Sequence, residues 1–159
     1  MFEGFAIETI ALSPDCSLLA RLAYSFFHAS ILHAVINCWC LLTIVFIYDV
    51  PLCYLAIAYA IAATFPTCLS TVPSAFPLGL TVGLSAVCFA LMGMVSFQTK
   101  RKAYFHTWVL SLILVGFTLP YICFVCGYTI ATPNSILHLY SYVAGLMVGF
   151  LNSPAHAKG

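Results

Sequence analysis

A serine becomes a nucleophile when a base within hydrogen-bond reach takes its proton, and histidine has a suitable proton affinity for that task. Gly83-Leu84-Ser85-Ala86 opens one apolar stretch, His28, His33 and Asn37 lie in another, and His138 and Tyr142 lie in a third. Ionisable side chains inside apolar spans are costly and mark functional positions. The chemistry these types permit is acyl transfer, with Ser85 as nucleophile and His138 as general base. A tetrahedral intermediate also needs donors aimed at its oxyanion. The His33 ring, the Asn37 amide and the backbone N–H of Ser85 suit that role. Tyr142 shares a helix face with His138, but a phenol with a pKa of about 10 is a poor base at neutral pH. Such a dyad needs neither metal nor organic cofactor.

The elements that hold these residues must lie in a membrane. Of 159 residues, 64% are hydrophobic and 6% charged, against about 25% charged in soluble domains. No Asp, Glu, Lys or Arg occurs between Arg21 and Asp49, between Asp49 and Lys100, or between Lys102 and Lys158. A soluble enzyme and a disordered tail are excluded, and a net charge of +1 provides no surface for nucleic acid. The expected fold class is all-α, a polytopic membrane helix bundle of about five spans. The spans are expected at 19–48, 52–71, 82–98, 105–128 and 135–152, flanked by an interfacial segment 1–18 and a short cytoplasmic tail 153–159. Asp49-Val50-Pro51, the loop Val72 to Gly79, Lys100-Arg101-Lys102 and Thr132-Pro133-Asn134 separate the spans, with Asn134 as an N-cap. The basic hairpin at 100–102 and Lys158 face the cytoplasm by the positive-inside rule, which makes the chain N-out and C-in.

Depth and face bring the polar groups together. Counted from the cytoplasmic helix ends, His33 lies about 22 Å up, Ser85 about 20 Å and His138 about 21 Å, whereas Tyr142 lies only about 15 Å up. His33 and Asn37 share one face at a spacing of four. His138, Tyr142, Gly145 and Gly149 share another, and Gly145-x-x-x-Gly149 is a small-residue seam that lets backbones approach closely. Ala86, Ala90 and Gly93 form a matching seam, and packing the two brings Ser85 beside His138. On a continuous helix His28 is about 140° from His33 and points elsewhere, toward the outer rim.

These segments resemble the rhomboid family of intramembrane serine proteases. Residues 21–37 contain its H-x-x-x-x-H-x-x-x-N pattern as His28, His33 and Asn37; residues 83–93, Gly83-Leu84-Ser85-Ala86-Val87-Cys88-Phe89-Ala90-Leu91-Met92-Gly93, are similar to its G-x-S-G segment and following A-L-M-G. Ala144-Gly145-Leu146-Met147-Val148-Gly149 resembles the end of its H-x-x-G-x-x-x-G helix. The resemblance covers roughly 18–152. It implies that Ser85 is the nucleophile, with Gly83 and Leu84 beside it. His33 and Asn37 then stabilise the oxyanion, His28 is the second histidine of that helix, and Phe89 is the ring on which the catalytic histidine packs. Aligned on Ala144-Gly145, the catalytic histidine position holds Tyr142, and His138 is one turn earlier. Ala86 replaces the second glycine of G-x-S-G, and the first span of the usual six-span core is missing.

The expected activity is therefore cleavage of the transmembrane helix of another membrane protein near its outer end. The expected location is multi-pass in a bacterial cell membrane, with lipid as the solvent. The alternative is a catalytically inactive rhomboid-like protein that binds transmembrane helices. A small channel or transporter subunit is disfavoured by the absence of an inverted repeat. His106 and His156 are read as solvated on the cytoplasmic side, and Lys100-Arg101-Lys102 as a topology determinant. Most of the eight cysteines lie in apolar runs as small hydrophobes.

Overall fold

The computed structural model describes residues 11–12, 16–69, 81–127 and 135–152, and among these the regular structure is helical. A short helix α1 (Leu18–Ala23) runs into a 3₁₀ turn (Tyr24–Phe26). Then follow α2 (Ile31–Tyr48), α3 (Leu52–Leu69), α4 (Ser85–Val95), α5 (Lys102–Val125) and α6 (Ser135–Leu151). An isolated antiparallel bridge joins Leu12 to Thr81.

The first expected span, 19–48, is not one helix. Phe27 turns extended after the 3₁₀ turn, and helix restarts at Ile31 because the Ser30 side chain caps it, accepting from the N–H of His33 at 3.1 Å. A serine that offers its oxygen to the backbone favours such a start over helix continuation. At its other end α2 stops where Asp49 adopts a left-handed conformation, and Val50 N–H reaches back to the Val45 carbonyl at 3.1 Å.

The expected span 82–98 is also shorter than expected. α4 has 11 residues, about 16 Å at 1.5 Å per residue, and does not by itself cross a hydrocarbon core of about 30 Å. Apart from Ser85 and Phe89 its residues are buried, so its length is matched to its protein neighbours rather than to lipid. Two helices, Ile31–Tyr48 and Lys102–Cys123, are long and apolar enough to cross a membrane by length and composition; Leu52–Phe65 and Ser135–Leu151 are apolar but shorter. The 70–80 loop, the turn at 128–134 with its Asn134 cap, residues 1–10 and 13–15, and the tail after Asn152 lie outside the described residues.

α4 and α6 form the tight centre. A Cβ on Gly145 would collide with the Ala90 carbonyl and lie 2.9 Å from Ala90 C; one on Gly149 would lie 2.9 Å from Met94 Cα. One on Gly93 would meet the Tyr142 carbonyl and lie 2.7 Å from Leu146 N. Contacts that rise together along both helices make the pair parallel, and only residues without a side chain permit this backbone approach. Each helix end is thereby held at a defined level relative to its neighbour.

The outer helices attach by narrow stripes. α2 buries Asn37 and Ile44 while Trp39 and Phe46 stay exposed; α5 buries Val109 and Ile113 while Tyr104, Leu114 and Tyr121 stay exposed. α3 is tied to the top of α6 by a bond between Thr64 Oγ1 and Tyr140 Oη at 2.9 Å and by Phe65 packing on the Tyr140 ring. The Thr64 hydroxyl donates to the Ile61 carbonyl, so Tyr140 is the donor in that pair.

Candidate active site

Ser85 is the first residue of α4, preceded by Leu84 as an N-cap that makes no side-chain cap bond. The first intrahelical bond runs from Cys88 N–H to the Leu84 carbonyl. The backbone N–H groups at Ser85 and the next positions have no partner within the helix. Their dipoles favour negative charge at this end.

Gly83 sits at φ +125°, which a side-chain-bearing residue rarely adopts, and a Cβ there would lie 2.7 Å from His33 Cε1 and 3.3 Å from Asn37 Nδ2. Glycine at this position therefore does two things: it turns the chain into α4 and leaves room for His33 and Asn37 beside the turn. Its N–H is held by the Tyr24 carbonyl at 3.0 Å. Just before it, Thr81 exchanges two backbone bonds with Leu12, at 2.8 and 3.2 Å.

His138 reaches this corner from the first turn of α6. Its Nε2 lies 2.8 Å from Ser85 Oγ. Its ring stacks on Phe89, one turn down α4, with centroids 4.5 Å apart and planes inclined by 20°. For Nε2 to accept the serine proton, the neutral imidazole must carry its hydrogen on Nδ1. The ring orientation is set by the Phe89 face.

Asn37 is buried, and its Nδ2 has no hydrogen-bond partner among the described residues. A buried donor without a partner is costly, about 1–3 kcal/mol, and this one is directed at the turn that carries Ser85. Its backbone carbonyl receives the Cys88 thiol at 3.7 Å, which ties α2 to α4 one turn below Ser85.

His28 does not point away. Because the helix is interrupted between Phe27 and Ser30, its ring meets His33 edge-on at 5.2 Å, and its Nε2 accepts the Leu84 N–H at 3.4 Å. His28 therefore links the segment before α2 to the Gly83-Leu84 turn, a role hidden by the assumption of one continuous helix.

Tyr142 does not face Ser85. It is buried one turn deeper, its backbone against Gly93, and its hydroxyl bonds His106 Nδ1. His106 is accordingly not a freely solvated residue; it is joined to α6. The pattern His138-x-x-Ser141-x-x-x-Gly145 puts a small residue three after the histidine, and Ser141 is fully buried. Ser141 is the position that an alignment on glycines alone overlooks, since serine is nearly as small. His156 lies outside the described residues. Cys16, Cys38, Cys40, Cys53, Cys88, Cys123 and Cys126 are free thiols.

A family model described as Rhomboid domain matches residues 16–155. No curated protein and no solved structure matches the chain.

Proposed function

The chain belongs to the rhomboid family, a family of integral membrane proteins, and from this we propose that it is an intramembrane serine endopeptidase with a Ser85–His138 dyad. The observation that carries the reading is the 2.8 Å approach of His138 Nε2 to Ser85 Oγ. It stands beside a buried Asn37 amide whose Nδ2 has no hydrogen-bond partner among the described residues. The family's usual action on membrane-protein substrates supplies the substrate class: the transmembrane helix of another protein.

In this reading Ser85 Oγ attacks the scissile carbonyl carbon as its proton passes to His138 Nε2. The carbonyl oxygen becomes an oxyanion held by Asn37 Nδ2, the His33 ring and the Ser85 N–H. Collapse breaks the C–N bond, and the imidazolium gives its proton to the leaving amine. Water then attacks the acyl ester with His138 again as base, releasing the acid and restoring the serine. No carboxylate among the described residues accompanies the imidazole; the Phe89 stack takes over orientation of the ring.

An intact helix keeps its peptide groups in internal bonds, so the scissile stretch contains helix-weakening residues. The chain is taken to be multi-pass, N-out and C-in, with about five membrane-crossing segments, and the dyad toward the outer face, where water enters. In this reading residues 1–18 precede a rhomboid-like transmembrane domain at 19–152.

The test is labelling of the purified protein in detergent or liposomes with a fluorophosphonate probe. Wild type and Tyr142→Phe are expected to label, and Ser85→Ala and His138→Ala to lose labelling. A folded wild-type protein that fails to label, yet still captures transmembrane helices after Ser85→Ala, is a non-catalytic helix binder instead.

A further inference from the structure

The site uses one end of the α4–α6 pair. Toward the other end, a groove with a volume of about 510 Å³ opens between the end of α4, the first half of α5 and the C-terminal half of α6. Its walls are Phe97, Leu110, Val143, Met147 and Phe150. Met147 is 65% exposed and Phe150 48%, so the groove is open along its side. The His106–Tyr142 pair is its polar feature.

A cationic run adjoins the Phe97 wall of the groove. Lys100, Arg101 and Lys102 are exposed and consecutive, and Lys102 Nζ lies 5.6 Å from the centroid of Phe97, itself a groove wall. Asp49 caps α2 at the same end, where Tyr48 meets Phe105 edge-on at 6.4 Å. Among the described residues, these three cations and Asp49 are the charged side chains at this end.

We propose that this groove binds one anionic phospholipid, with an acyl chain along the α5–α6 wall and the headgroup phosphate at Lys100-Arg101-Lys102. Two observations select the occupant. From Tyr142 to Phe150 the groove extends about 12 Å along α6. That length, open along its side at Met147 and Phe150, suits a flexible hydrocarbon chain lying against the apolar walls. The clustered cations attract a phosphate and repel the ammonium of a zwitterionic headgroup, and a basic cluster beside a membrane-embedded cleft is suited to an anionic headgroup. The proposal needs only that the groove lies in the bilayer and does not depend on the dyad being active.

The experiment is native mass spectrometry of the delipidated full chain in detergent, titrated with phosphatidylglycerol or phosphatidylcholine of the same acyl chains. The wild type is expected to retain one phosphatidylglycerol at least about tenfold more tightly than phosphatidylcholine. An Arg101→Gln/Lys102→Gln variant should lose roughly thirty-fold in phosphatidylglycerol affinity, at about one cation's worth of attraction per residue removed. Val143→Trp, which fills the groove without touching the charges, should abolish retention; Met147→Trp, at an exposed position, serves if Val143→Trp does not fold. Soluble glycerol phosphate should not compete. Equal retention of the two lipids overturns the proposal. So does a preference that survives loss of the two cations, or retention unaffected by the tryptophan, which would mean a headgroup held at the surface alone.

Discussion

At the scale of single residues, the arrangement around Ser85 separates roles that share one helix face. His138 and Tyr142 are four apart on α6, yet one meets Ser85 and the other bonds His106. Tyr142→Phe should keep activity while lowering stability by about 1 kcal/mol, the usual net worth of one hydrogen bond; a thermal melt beside a cleavage assay distinguishes the two effects. Asn37→Ala should lower kcat by about 10²-fold with KM little changed, as expected of a donor that acts only on the oxyanion. An unchanged kcat would return Asn37 to a helix-packing role. The residue types were legible in the sequence because a serine, two histidines and an asparagine inside charge-free runs have few structural reasons to be there. The part played by His28 was not, because its direction depends on the break at Phe27–Ser30, which follows from a cap made by one serine.

At the scale of elements, the site is as exact as the α4–α6 seam. Gly145 leaves no room for a methyl against Ala90, and inserting side-chain atoms into a packed contact costs about 1–3 kcal/mol. Gly145→Ala should therefore lower the melting temperature and, by parting the helices that hold Ser85 and His138, lower activity more than stability alone explains. Ser141 offers a prediction of opposite sign. Its hydroxyl is buried without a hydrogen-bond partner among the described residues, so Ser141→Ala should leave stability unchanged or raise it by about 1 kcal/mol in a thermal unfolding measurement. The small-residue spacing announced this seam, since Gly and Ala at intervals of three and four mark a helix face locally. It did not announce the register. A slide by one turn keeps every residue on the same face, so periodicity alone allows both His138 and Tyr142 opposite Ser85, and counting depth from the helix ends was needed to prefer His138.

At the scale of the whole molecule, the described surface carries many large exposed apolar side chains, among them Trp39, Phe46, Leu114 and Tyr121, as a lipid-facing surface requires. The proposed N-out, C-in topology places the 100–102 hairpin in the cytoplasm. A single cysteine at position 101 in a cysteine-free background should then resist an impermeant maleimide in intact cells and react once the membrane is opened; reaction in intact cells would reverse the orientation. The sequence by itself determined the class of environment, the helical character and the residue types at the site. Each of these follows from transfer energetics and helical periodicity, which are properties of short stretches of chain. The tertiary structure decided where the first apolar run breaks, how short α4 is, which small residues meet, and that His28 joins the site while Tyr142 leaves it. Those outcomes depend on backbones that approach only where side chains on two different helices permit it, and no single stretch of sequence contains both halves of such a contact.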